Sequence, residues 1–534
     1  MNYNKTNLDC VIIGHNDIEL DKIALKTKPF KELSGNYFDI KTNSVLVNNK
    51  RMSYMEFINY IFKKNTGQEN HFNAFELSNL ATLCLKSFLA NRGLNAEIVN
   101  FFNFDKEKLR KLLFLSPKAV VITTTYYVDI APISEIVDFI RMYNNETKII
   151  IGGPYVYSNS IHYSKTLFEE ALKNINADIY IIEAQGEETL SKVLSKLDSS
   201  QFDLSYVPNI AYWDTNDKMK FTERKEEDNI LEKNDIDWTL FSEGSLSSTI
   251  LFRTARGCLF NCAFCNYPIM AKYEIKSINK IEEDLLYLYN QGIKNILFID
   301  DTFNVPISRF KQICEIIIKN KLKFNWVSFF RCSNTDNEIY DLMKQSGCIG
   351  VFLGIESGSQ IILNNMNKFA DTEKYLDAIS ELNKRDIITY GSFIIGFPGE
   401  TKETIRETLH FIEKSELNFF NLQLYFHDTI APINKRKEEF GIIGQHYNWK
   451  HNTMDWKEAS GWIVHMYKNV QSSTPLTLLG FGVWALPYLL EKGLSLKKII
   501  ELTQIMKPIL IASLDDQPMD FSESEKKIYT LITN

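Results

Sequence analysis

The sequence predicts an α/β protein: an N-terminal doubly wound, Rossmann-like domain, a partial (β/α)6 barrel of the TIM type, and a mostly helical C-terminal subdomain. Three observations predict it. Over the first 200 residues short apolar strands alternate with amphipathic helical stretches, from Ser247 that alternation restarts for six more units, and after Tyr425 it gives way to a segment without clean periodicity. At 534 residues the chain holds about three to four domain equivalents.

Leu8 to Gly14 reads as the first strand, followed by Ala119 to Thr125, Lys148 to Gly152 and Asp178 to Ile182. Unbroken β-branched runs of this kind suit a parallel sheet covered on both faces. Helical periodicity marks 75–93, 106–115, 133–143 and 187–197, with Gly93 as a C-cap. Residues 20–74 form an insertion with a hairpin turning at Asn48-Asn49. Ligands of doubly wound sheets lie beyond the strand carboxyl ends. Those ends carry Thr123-Thr124-Thr125-Tyr126-Tyr127, Gly152-Gly153-Pro154-Tyr155 and Glu183-Ala-Gln-Gly186-Glu187-Glu188, where small residues let a large planar ligand lie against the backbone or simply make turns. No Gly-x-Gly-x-x-Gly dinucleotide fingerprint occurs.

Residues 201–246 read as a connector, with a hairpin at 214–217 and a charged run, Glu223 to Asp228, expected as a solvated loop. The barrel, 247–425, has expected strands near 249–255, 295–300, 324–330, 349–355, 389–395 and 419–425, with Gly292 and Gly347 ending helices before two of them. A barrel of this type carries its site at the strand carboxyl ends.

At the end of the first barrel strand stand Cys258, Cys262 and Cys265, a Cys-x3-Cys-x2-Cys triplet. Three thiolates at that spacing can hold three corners of a four-iron four-sulfur cluster, and with no fourth cysteine nearby one iron stays open to a ligand. A structural zinc site takes four closed ligands, usually in two pairs, and no second pair is present. Cys10, Cys84, Cys314, Cys332 and Cys348 are scattered singly on apolar segments and read as buried small hydrophobes.

The net charge of −7, with cations interleaved among acids, argues against a nucleic-acid-coating surface. The start lacks an apolar signal core, and the run 476–490, broken by Pro487, is too short to span a membrane. A cytoplasmic location is therefore expected.

The cysteine triplet, with Phe264 before its last member, resembles the radical S-adenosylmethionine (radical SAM) superfamily. A doubly wound domain ending in Gly-Glu-Glu directly before that core is similar to the cobalamin-dependent class, and the segment 426–456, with Trp449 and Trp456, looks most like the PhpK-type phosphinate P-methyltransferases. The resemblance implies three cofactors: a 4Fe-4S cluster on the three cysteines, SAM on its open iron, and cobalamin in residues 1–200. It places Phe264 beside adenine, Asp300 or Asp301 on the SAM ammonium where a helix N-cap is the alternative, and Arg331 on its carboxylate or in an ion pair. Glu356 and Ser357 fall to the ribose or amino-acid part, and Gly396 and Pro398 to the turn over adenine. Thr123, Thr124, Tyr126, Gly152, Gly153, Gly186 and Glu187 become cobalamin contacts. The Asp-x-His-x-x-Gly loop by which another cobalamin family reaches cobalt is absent. His427 and His451 are candidates to contact an anionic substrate or move protons, structural histidines being the alternative.

The implied activity is a methyl transfer from SAM through methylcobalamin to a non-nucleophilic carbon or a phosphinate phosphorus. A second SAM supplies the hydrogen-abstracting radical. A small molecule or peptide is the expected substrate and a protein such as flavodoxin or ferredoxin the expected reductant. The competing readings are a radical SAM and cobalamin enzyme without net methylation, and a non-catalytic cobalamin or redox sensor.

Overall fold

The computed structural model describes residues 8–69, 72–127, 129–197, 203–241, 244–332, 336–477, 481–482, 485–517 and 519–533. Contacts divide the chain into two compact units: residues up to Ile18 with Phe75–Leu246, and Glu19–Ala74 with Ser247–Asn534.

The first unit is built on a seven-stranded sheet. Its five parallel strands are Cys10–His15, Ala96–Phe101, Ala119–Thr123, Lys148–Gly152 and Ile179–Ile181, and numbered by position in the chain they lie in the order 2-1-3-4-5. Four of the five are apolar on both faces: Val11, Ile13, Val120 and Ile122 join one core, and Cys10, Ile12, Ala119 and Val121 the other. This double burial explains the unbroken apolar runs. Three elements of this unit were not expected, the strand Ala96–Phe101 and the helices Pro154–His162 and Lys165–Ile175. The strand's burial is broken by Glu97 and Asn100, so it lacks the continuous run of its neighbours.

The stretch 201–246 is more than a connector. Ile210–Trp213 and Met219–Phe221 pair antiparallel and extend the same sheet beyond Ile179–Ile181. Within the charged run, Glu227 differs from a solvated residue: its carboxylate accepts the backbone N–H groups of Glu188 and Thr189, both at 2.8 Å, at the start of the helix Glu187–Lys196. A carboxylate there satisfies orphan donors and meets the positive end of the helix dipole.

In the second unit a parallel sheet runs Thr249–Phe252, Asn295–Phe298, Asn325–Phe330, Cys348–Glu356, Ile388–Ile395, Phe419–Leu424 and the two-residue strand Thr474–Pro475 in chain order, an arc of the partial-barrel type. The insertion belongs to this unit. Its hairpin, Val45–Val47 with Lys50–Met52, turns at Asn48 and Asn49, both left-handed. Leu46 N–H donates to Ser513 Oγ at 2.7 Å, Arg51 pairs with Asp516, and Gly35 N–H donates to the Tyr447 carbonyl at 2.9 Å. Trp456–Asn469, Leu496–Leu514 and Ser522–Thr533 are the longer C-terminal helices. Of the run 476–490, Ala485–Glu491 is helical, while 478–480 and 483–484 lie outside the described residues. Among the described residues no helix is long and apolar enough to cross a membrane.

Candidate functional site

The cysteine loop leaves the first barrel strand through Gly257, whose φ of +81° is left-handed and whose position admits no side chain, since a Cβ would stand 2.7 Å from the Lys272 carbonyl oxygen. The loop is latched on two sides. Ala263 N–H donates to the Met366 carbonyl at 2.7 Å, and the Ala263 carbonyl accepts from Ile433 N–H at 2.8 Å. Asn367 Nδ2 reaches the Asn261 carbonyl at 2.9 Å, and Asn266 donates to Asp428 at 2.5 Å. Cys258 Sγ lies 3.4 Å from Thr302 Oγ1. Burial, then the neighbouring Cys262 and Cys258 sulfurs, push the Cys265 thiol up to about 11. A thiol so placed becomes a thiolate when a metal offsets that burial and crowding. Among the described residues no His, Cys, Asp or Glu group converges as the ligands of one ion would. Three thiolates can each take one iron of a cluster and leave the fourth open, whereas a structural zinc closes four ligands.

Over this loop lies Arg331, at the end of the third barrel strand. It is 5% exposed, its guanidinium carbon is 3.7 Å from the Phe260 ring centroid, and its Nε and Nη2 have no partner among the described residues. Asn304 fixes its backbone with bonds of 2.7 and 2.9 Å. A buried guanidinium with two unsatisfied donors is costly unless an anion meets it. Beside it a cleft of about 560 Å³ is lined by Phe260, Asn304, Cys332, Phe369, Lys374 and Tyr375.

The paired carboxylates divide. Asp300 is committed to the protein: it accepts Thr254 N–H at 2.7 Å and the Thr254 hydroxyl, which Arg309 also contacts at 2.8 Å. Asp301 is exposed as a residue while its carboxyl end is crowded: desolvation there, then repulsion from Asp300, push it up to about 7 against the pull of Arg253 and a hydrogen bond with Tyr267. It is the better placed of the two for an outside cation.

Glu356 has a left-handed φ of +70° and pairs with Lys368 at 2.8 Å, with both side chains buried. The charge of Glu356 holds Lys368 above the usual lysine range against the desolvation that lowers it. Lys368 Nζ lies 5.6 Å from the Phe264 ring centroid, so it ties the fourth strand end to the cysteine loop. Nothing in the sequence marks it, because a buried lysine is recognised only by its partner. Ser357 is turned inward: its hydroxyl meets Thr408 Oγ1 at 3.1 Å and accepts Ser359 N–H at 3.1 Å. It builds the turn before the helix Gln360–Asn365 and contributes no open hydroxyl.

Gly396 and Pro398 are buried in the turn after the fifth strand. The turn is closed by Glu400, which accepts Gly396 N–H at 2.5 Å and whose carboxyl is pushed by burial up to about 8. Gly396 has a φ of +93°, and a Cβ there would strike Trp449 at 2.4 Å. His451 stacks on Trp449 with centroids 5.3 Å apart, faces the Gly396 carbonyl through Nε2 at 3.2 Å, and receives Thr453 on Nδ1 at 3.0 Å. Burial lowers it to about 4. With both nitrogens engaged, the neutral ring braces the turn and does not face outward. His427, also buried, faces the Gly444 carbonyl through Nδ1 at 2.9 Å and joins His446 by two backbone bonds.

In the first unit, Thr123 Oγ1 donates to the Ile13 and Gly14 carbonyls and Thr124 Oγ1 to that of Gly152. The glycines answer an internal demand: a Cβ on Gly152 would lie 3.0 Å from Ile181, on Gly153 3.0 Å from Thr124 Oγ1, and on Gly186 2.4 Å from Ile181. Glu187 accepts Asn229 at 3.0 Å. Tyr126 is exposed at the rim. Order 2-1-3-4-5 puts the topological switch between the strands ending in His15 and Thr123, where such folds bind ligands. His15, missed in the sequence because one histidine in a strand carries no pattern, is buried there among Phe75, Phe101, Tyr126 and Tyr127, and burial lowers it to about 3.

Residues 252–412 match the profile of the Radical SAM superfamily. An uncharacterized methyltransferase of Pyrococcus horikoshii is 35% identical over 31% of this chain and 37% of its own length. A putative methylthiotransferase of Methanocaldococcus jannaschii is 28% identical over 64% of this chain and 74% of its own. The solved structure of the radical S-adenosylmethionine methyltransferase TsrM from Kitasatospora setae, with cobalamin and a [4Fe-4S] cluster bound, has a TM-score of 0.60 at 14% identity, covering 85% of this chain and 96% of that one.

Proposed function

With residues 252–412 forming a radical SAM domain, we propose that the chain is a cobalamin-dependent radical SAM methyltransferase whose acceptor is a non-nucleophilic carbon or a phosphinate phosphorus of a small molecule or peptide. The observation that carries the reading is the latched Cys258, Cys262 and Cys265 loop beneath a buried guanidinium whose Nε and Nη2 have no partner among the described residues. The donor set fits the cofactors: three soft thiolates for a cluster with one open iron, Arg331 for a carboxylate, and Asp301 for an ammonium. When bound, the cluster and SAM supply a hydrogen-abstracting radical and cobalamin supplies a methyl carrier, chemistry that no side chain can provide.

The chain's own residues bind and orient. Arg331 fixes the carboxylate end of SAM and Asp301 its ammonium. Glu356 is held by Lys368 at the strand end that reaches the ribose. Glu400 and His451 keep the turn at Gly396 shaped for a flat base, acting as positioning residues. In the first unit the switch-point crevice, with the Tyr126 ring at its rim, receives the corrin, as the cobalamin-bound TsrM fold suggests. The P-methyltransferase assignment is the narrower part of the proposal and rests on the likeness of the segment 426–456.

Turnover with methyl-labelled SAM and the acceptor should add one labelled methyl to product, with S-adenosylhomocysteine and 5′-deoxyadenosine formed in about equal amounts. Deoxyadenosine without S-adenosylhomocysteine, and a product of unchanged methyl count, would show a rearrangement or cyclisation instead.

A further inference from the structure

We propose that His15 is the group beneath cobalt in the corrin site of the first unit, binding the metal through its imidazole. The inference rests on the cobalamin reading and assigns the lower face that the missing Asp-x-His-x-x-Gly loop leaves open. His15 is the last residue of the first strand and pairs with Phe101 of the neighbouring strand, at the switch point where the crevice opens. Its backbone is held on both sides. Thr123 Oγ1 donates to the Ile13 and Gly14 carbonyls at 3.1 and 2.9 Å, and Asn16 Nδ2 donates to the Pro132 carbonyl at 2.9 Å and to Glu135 at 3.1 Å.

Packing alone does not explain a histidine here. The ring is 5% exposed, it lies among the rings of Phe75, Phe101, Tyr126 and Tyr127 at centroid distances of 3.9 to 6.2 Å, and its Nδ1 has no partner among the described residues. Phenylalanine would fill the same space without burying an unpartnered nitrogen. Burial keeps the imidazole neutral, the form that offers a lone pair to a metal. The covering rings divide into two pairs. Phe101 and Tyr127 are buried, whereas Phe75 is half-buried and Tyr126 is 39% exposed, so a planar ligand reaches the imidazole by displacing the second pair. Asn100 Nδ2 holds the Phe75, Glu76 and Leu77 carbonyls at 3.3, 3.2 and 3.0 Å, which leaves the Phe75 side chain to move on a fixed backbone. The other histidine of this unit, His162, ends the helix that leaves Gly153, away from the strand carboxyl ends, with Nδ1 at 2.7 Å from the Ser158 carbonyl. The bond proposed is dative: the imidazole lone pair fills the lower position of cobalt in place of water or of cobalamin's own base, and no electron is transferred.

The test is the electron paramagnetic resonance spectrum of the full chain loaded anaerobically with cob(II)alamin, prepared once with ordinary histidine and once with nitrogen-15 histidine. An ordinary nitrogen below cobalt splits each cobalt line into a triplet, and nitrogen-15 splits it into a doublet. The ordinary chain should give triplets and the labelled chain doublets. His15→Phe, which refills the aromatic cluster, should retain cobalamin and lose the doublets, while His162→Gln should keep them. Triplets in the labelled chain would put cobalamin's own base on the metal, unsplit lines would leave the lower face without nitrogen, and doublets that survive in His15→Phe would point to another histidine. Each of these would overturn the assignment. A chain that takes up no cobalamin would instead overturn the cobalamin reading beneath it.

Discussion

Cys258→Ala, Cys262→Ala and Cys265→Ala should each abolish reductive SAM cleavage in anaerobically reconstituted protein, with iron content and the cluster absorption lost or sharply reduced. Each thiol occupies one corner, so no pair can hold a cluster with a single open iron. The loop's backbone is fixed by Met366, Asn367 and Ile433 rather than by the thiols, so the chain should remain folded. Cys314→Ala is the control. Cys314 is buried in the helix Ile307–Lys319 and burial pushes its thiol up to about 12, so its removal should cost packing alone, about 1 kcal/mol. Full cleavage by any of the first three variants would refute the cluster assignment.

Arg331→Gln should weaken SAM binding by ~10- to 100-fold, the equivalent of one charge-assisted hydrogen-bonded pair. The change removes the fork whose Nε and Nη2 have no partner among the described residues, so the loss falls on the ligand. Stability should be unchanged or raised, because an uncompensated buried charge disappears. Titration of the reconstituted protein with SAM measures the first effect and thermal unfolding the second. Unaltered SAM affinity with a large loss of stability would make Arg331 a structural residue.

Most of the parallel strands were legible because both of their faces are buried, which leaves runs of buried, mostly apolar or β-branched residues such as 119–123 and 388–393. Ala96–Phe101 was not, since Glu97 and Asn100 interrupt it. The insertion's membership of the barrel unit rests on contacts more than 400 residues apart in sequence, such as Arg51 with Asp516 and Lys64 with Glu525, which no local pattern encodes. Within the site the cysteine triplet was readable from spacing, and the strand-end carboxylates from their position. Which carboxylate is available was not: Asp300 and Asp301 are adjacent and chemically identical, and the fold separates them by tying Asp300 to Thr254 and leaving Asp301 at the rim beside Tyr267. Likewise the sequence left His451 open between a substrate contact and a structural histidine, and the Trp449 ring and the Gly396 carbonyl hold it as a brace. The glycines at 152 and 153 were legible as a requirement for small residues, but the requirement comes from Ile181 and Thr124.

The central claim, that one chain unites a radical-generating cluster with a corrin methyl carrier, is tested most directly by the fate of the SAM methyl group before any acceptor is added. Cobalamin-loaded protein, reduced under anaerobic conditions and given methyl-labelled SAM, should yield labelled methylcobalamin and S-adenosylhomocysteine in equal amounts, up to one equivalent per chain. Unlabelled cobalamin, or protein that binds no cobalamin while still cleaving SAM to 5′-deoxyadenosine, would contradict it.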